Sequence, residues 1–136
     1  LDTTRIDIFN SAKEIIIANP FIGTGSGSFP IIYEFQTGFW KGHTHNLLTE
    51  FAISHGIPST ILFLIFLINI MYISFTKIFK GSSNNISNKA FWTASFVFLL
   101  SQMIDMQYFD GRISLIFWLF LASLKCIVVE KKIVIK

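Results

Sequence analysis

One stretch limits this chain more than any other. From Thr60 to Phe79 it runs twenty residues broken only by Asn69, Ser74, Thr76 and Lys77. At 1.5 Å per residue a helix of that length covers roughly 30 Å, the thickness of a bilayer's hydrocarbon core. The length of 136 residues would suit one small soluble domain, but apolar residues make up 52% and charged ones only 14%, about half the usual charged share of soluble chains. Lipid is therefore the expected solvent for much of the chain, and an all-α architecture follows, since a spanning segment must satisfy its backbone internally.

Two further spans are expected, over residues 90–108 and 113–129. The first is weakened by Ser101, Gln102 and Asp105, and the Phe109-Asp110-Gly111-Arg112 turn separates the two. The expected organisation is a polytopic helical membrane protein. Residues 1–59 form a loop with short amphipathic helices, residues 60–129 a three-helix membrane region (60–79, 90–108, 113–129), and residues 130–136 a basic tail. The polar 80–89 loop and the tail are lysine-rich and share one side. The positive-inside rule makes that side cytoplasmic and places Arg5, the histidines and Arg112 outside. The net charge of +3 thus reads as topology. No basic patch carries interleaved aromatics on a polar surface, so nucleic acid is not an expected partner. Cys126 is the sole cysteine, which excludes an internal disulfide. The chain opens Leu1-Asp2-Thr3-Thr4-Arg5 with no signal pattern, and is expected to be the C-terminal part of a longer protein.

In the first fifty-nine residues, positions 5–19 repeat apolar residues at helical spacing (Ile8, Phe9, Ala12, Ile15, Ile16), with Asp7, Lys13 and Glu14 off the stripe. Pro20 ends that helix. Pro20 to Pro30 is rich in glycine. Gly23, Gly25 and Gly27 alternate with Thr and Ser, which is either a flexible turn or a nest of amides for an anion. No Gly-Lys-Ser/Thr follows, so it is not a Walker loop. Tyr33, Phe35, Phe39 and Trp40 suit a membrane interface, and Gly38 and Gly42 break any long element.

All three histidines fall within residues 43–55. Read as a helix from His45, residues His45, Thr49, Ala52 and Gly56 share one narrow stripe, with Glu50 on a solvated or interfacial face. Gly56 and Pro58 then break this helix and start the next. His43 and His45 project together only if the chain is extended there, and His55 lies about 15 Å beyond His45 along a helix; no metal site is expected. Imidazole titrates near neutrality, so His45 suits a base that takes a hydroxyl proton; a structural histidine is the alternative. Arg5 is either a solvated helix start or a fork for phosphate oxygens. Arg112 either serves likewise or pairs with Asp110. Asp105, an ionisable group at a span's outer end, is either functional or a carboxylate reaching interfacial water.

His45-Asn46, nine residues, Gly56, three residues and Thr60 together resemble the signature of the O-antigen ligase/O-antigen polymerase family of membrane glycosyltransferases. Arg5, the helix after it and Asn19-Pro20-Phe21-Ile22-Gly23-Thr24-Gly25-Ser26-Gly27-Ser28-Phe29 resemble that family's Arg…His-Pro-Leu-Gly-x-Gly-x-Gly-x-Phe block, with Asn19 in place of the usual His. The Asp110-Gly111-Arg112 turn is also familiar, and the resemblance covers residues 5–120. It implies a multi-pass bacterial inner-membrane protein whose periplasmic loop carries the active site. Such a protein moves a glycan from an undecaprenyl-pyrophosphate donor to a sugar hydroxyl. The acceptor is lipid A–core in a ligase and another repeat unit in a polymerase. The resemblance implies no metal and no cofactor. It maps the family's loop histidine onto His45 and a loop arginine onto Arg5, the expected catalytic residues; Gly23, Gly25, Gly27, Asn46, Thr49, Gly56 and Arg112 are the expected substrate contacts around them. A secondary-transporter fragment, with Asp105 and His45 along a solute path, and a non-catalytic scaffold are the rival expectations.

Overall fold

The computed structural model describes residues 4–80, 85–107 and 110–130. The described residues are all-helical: α1 (Arg5–Ala18), α2 (Ser28–Thr37), α3 (Leu47–Phe79), α4 (Ile86–Ile104) and α5 (Gly111–Glu130). The expected tail over residues 130–136 lies outside the described residues beyond Glu130. Two compact units divide the chain, Leu1–Leu64 with Met103–Met106, and Ile65–Gln102 with Gln107–Lys136.

The first unit is built on α1. Thr4 and Asp7 form a reciprocal capping box that satisfies orphan amides at its start. Its expected apolar stripe is real but narrower than the sequence spacing gave: Ile8, Ala12 and Ile15 are buried, whereas Phe9 is exposed. These three pack with Phe29 and Tyr33 of α2 and Ile53 of α3 in one cluster. α2 is an element that the sequence reading did not separate from the glycine turn. Pro30 had the look of a boundary, yet it sits in the helix's first turn, where a missing N–H costs nothing. Gly27 and Gly38 bracket α2 in the left-handed conformation.

α3 begins at Leu47, not at His45, and its backbone leaves the helical region at Gly56 (φ 81°, ψ 169°). That conformation is reached essentially by glycine alone. Pro58 follows within the restarted helix's first turn, as the sequence led one to expect. The hinge is clamped by the Pro20–Gly25 segment. Ile57 N–H donates to Pro20 O (2.7 Å), Thr24 N–H to Ile53 O (2.7 Å) and Gly25 N–H to Ser54 O (3.1 Å). The approach is so close that a Cβ on Gly56 would stand 2.2 Å from Phe21 O, and one on Gly23 2.5 Å from Ile53 O. These are backbone atoms that cannot step aside.

In the second unit the three long helices pack through aromatic rings. Trp92 lies against Phe75 and Phe96, and Phe120 against Phe91 and Phe98. Trp92 Nε1–H also donates to Ser74 Oγ at 3.0 Å and to Met71 O at 3.2 Å. Ser74 is fully buried. Lys77 Nζ donates to the carbonyl of Val128, which gives an intrahelical cation a partner.

Of the three expected spans, two helices are long and apolar enough to cross a membrane, Leu47–Phe79 and Gly111–Val129. α4 is not among them. It starts at Ile86 rather than residue 90 and ends at Ile104, so it takes in Ser87, Asn88 and Lys89 together with Thr93, Ser95, Ser101 and Gln102, which dilute its apolar character. The expected 80–89 loop is correspondingly shorter, with residues 81–84 outside the described part.

Candidate functional site

The segment His43–Asn46 has no regular structure, and its conformation is set from three directions. Asn46 caps α3: its Oδ1 accepts from Thr49 N–H (3.0 Å) and from the Thr49 hydroxyl (3.2 Å). Its amide Nδ2 reaches across to donate to Met103 O (2.8 Å), satisfying a carbonyl left over at the end of α4. Glu50 Oε2 accepts from Thr44 N–H at 3.0 Å. Finally, His43 Nδ1 accepts from His45 N–H at 3.2 Å.

Glu50 corrects the sequence reading of a solvated face. It is 3% exposed, and its Oε1 has no hydrogen-bond partner among the described residues. A buried carboxyl with one engaged oxygen is expensive. Its single bond goes to the residue between the two histidines.

His45 is held in the left-handed region (φ 59°), the only non-glycine residue with positive φ among those described. It lies outside the helix, so the expected stripe of His45, Thr49, Ala52 and Gly56 does not form. The bend turns the imidazole toward the chain just after α4, where His45 Nδ1 stands 2.9 Å from Asp105 Oδ1. Met103 and Asp105 thus receive Asn46 and His45 in step. The hydrogen bond from His45 holds the Asp105 carboxyl below the usual carboxylate range; the charges of His45, His43 and Arg5 add to it, and slight burial opposes. Arg5, at the exposed start of α1, therefore acts on the same carboxylate through space. Burial pushes His43 below the usual imidazole value, with His45 pressing the same way. The two rings meet edge to face at 4.5 Å.

Since a carboxylate only accepts, His45 donates its Nδ1–H to Asp105, which in the neutral ring leaves the lone pair on Nε2. A base fixed in one tautomer by a carboxylate is what proton abstraction from a hydroxyl needs. Potential ligand atoms of His43, His45 and Asp105 also lie within 4.8 Å of one another, so these three could hold a metal ion, a grouping that the sequence reading did not foresee. The Nδ1 atoms of both rings are already engaged in the hydrogen bonds described. His55 is apart from them, exposed with its ring against Phe51.

The remaining expected contacts take other places. Gly23 N–H donates to Asn19 O (3.1 Å), and the amides of Thr24 and Gly25 are spent on α3 carbonyls. These three amides therefore do not form an anion nest; the close backbone approach explains Gly23 and Gly56 instead. Gly25 and Gly27 face open space. Asn46 and Thr49 act as cap and capped residue. In the second unit, Arg112 forms a two-pronged pair with Asp110 (3.2 and 3.1 Å), while Asp110 also accepts from the Arg112 amide at 2.9 Å. Asp105, held open as functional or interfacial, and Glu50, read as solvated, are what the spacing of residues left unsaid. Comparison with family models, with curated proteins and with solved structures gives no match for this chain.

Proposed function

We propose that the chain carries the catalytic loop of a membrane glycosyltransferase of the O-antigen ligase kind, working on the periplasmic side of a bacterial inner membrane. The observation that carries this reading is the His45–Asp105 pair at 2.9 Å; the charge of Arg5 adds a small through-space pull on the same carboxylate. In the reaction, His45 Nε2 takes the proton of the acceptor hydroxyl. The freed oxygen attacks the anomeric carbon of the lipid-carried glycan, and the bond from that carbon to the pyrophosphate oxygen breaks. Arg5 offsets the charge that collects on the departing undecaprenyl pyrophosphate. Asp105 keeps the imidazole in one tautomer and steadies the imidazolium.

The two apolar helices supply a membrane setting. α4, with 19 residues, reaches about 28 Å and packs by its aromatic rings against α3 and α5. On this reading it makes the third crossing, which returns the lysine-rich tail to the cytoplasmic side.

The test is complementation of a strain that lacks surface polysaccharide ligation, using the complete gene with His45→Ala or Arg5→Ala. Loss of the lipid-linked glycan ladder is expected for both, at unchanged protein level. Persistence of normal ladders overturns the assignment. Deletion of the gene separates the two members of the family: bare core marks a ligase acting on lipid A–core, and core bearing a single unit marks a polymerase.

A further inference from the structure

Phe21 and Ile22 are among the most exposed large apolar side chains of the described residues, at 77% and 84%. They lie within a stretch, residues 15–33, that contains no charged residue and no histidine. Ile17 (65% exposed) and Ile31 (72%) flank them in sequence. Full exposure of two adjacent large side chains on a turn is costly in water, and no packing among the described residues offsets it.

Their position is fixed rather than floppy. Pro20 O accepts from Ile57 N–H, Thr24 N–H is held by Ile53, and Phe21 O lies where a Cβ on Gly56 would be. The turn is thus pinned, backbone to backbone, to the point where the apolar part of α3 starts. Where that helix enters a bilayer, the turn enters with it. Its height is within about one helical turn of Ile57, at the boundary of headgroups and acyl chains.

We propose that the Pro20–Gly23 turn is a lipid-contacting wedge, with Phe21 and Ile22 inserted among the acyl chains at the membrane interface. The inference rests on the reading that α3 crosses a bilayer, and not on the glycan chemistry. The occupant is bilayer lipid itself. An apolar turn of this kind bears on how deeply the His43–His45 segment can ride, because the segment is held at the start of α3 and the turn at its hinge.

The experiment uses the complete protein in nanodiscs of phosphatidylethanolamine and phosphatidylglycerol, with Cys126→Ser and either Phe21→Cys or Leu62→Cys carrying a nitrobenzoxadiazole label. Leu62 lies on α3 and is 69% exposed. The label at position 21 is expected to lose at least half its emission to lipid carrying a nitroxide near the headgroup, less to one at the chain end, and little to aqueous iodide. Quenching by iodide, or by neither agent, overturns the wedge, the second outcome meaning that protein covers the turn. Lipid quenching at position 62 without quenching at 21 overturns the wedge alone. Its absence at both positions overturns the membrane crossing as well.

Discussion

Asp105 receives the imidazole of His45 at 2.9 Å from a point sixty residues further along the chain. The neighbouring bond from Asn46 to Met103 makes this a two-point junction. Because the folded carboxyl titrates below its ordinary value, the junction's contribution is fully present above the unfolded value near 4, and is lost as pH falls through the lowered folded value. Carbon-13 NMR of the Asp105 carboxyl should show that low midpoint, and His45→Gln should bring it back up. A midpoint that stays put in the variant would mean that the contact is not what lowers it.

Asp105→Asn is expected to keep the fold and to cut glycan transfer by about 10- to 1,000-fold, since the amide no longer enforces the tautomer that leaves Nε2 free. The loss should fall on the turnover rate more than on apparent acceptor affinity. Transfer within threefold of the parent would remove Asp105 from the mechanism.

Glu50→Gln is expected to be mild and Glu50→Ala severe. The glutamine carbonyl can accept from Thr44 N–H as the carboxylate does, whereas alanine leaves that amide unpaired in a buried place, a cost of roughly 1–3 kcal/mol. Thermal unfolding in detergent gives the stability order, and the Asp105 titration reports whether the histidine segment has loosened. Equal damage from both substitutions would show that charge, rather than shape, is what matters at position 50.

Gly56→Ala and Gly23→Ala should each destabilise by roughly 3 kcal/mol or more, combining a strained φ with a collision against backbone. Gly25→Ala, with open space around its Cβ, should cost only about 1–2 kcal/mol. Melting temperatures of the three purified variants test this, and an inverted order would refute the clamp.

The parts legible in the sequence were those written in local pattern. The apolar stripe of α1, its stop before Pro20, the hinge at Gly56 and the restart at Pro58 follow from spacing and backbone chemistry. α2 was hidden because Pro30 signals a boundary and a helix's first turn equally well. α4 misled because its apolar half resembles a span while its polar residues are scattered through both ends. In the candidate site, His45 and Arg5 stood out by chemical type. What no spacing could reveal was that a bent backbone at position 45 would deliver its ring to Asp105, or that Glu50 would be drawn inside by the amide of Thr44. Both depend on contacts between segments distant in sequence or turned against the helical register. The glycines announced a special backbone, but their purpose was close packing where an anion cradle seemed equally suited.

The left-handed bend at position 45 sets stability against chemistry. Glycine would rest there more comfortably than an imidazole, by roughly 1 kcal/mol. His45→Gly should therefore recover part of the backbone cost at the bend, while losing the ring that faces Asp105 and the stability that its hydrogen bond contributes. On the proposed reading, the bend at position 45 is therefore a place where backbone ease is given up for an imidazole at the proton-transfer site.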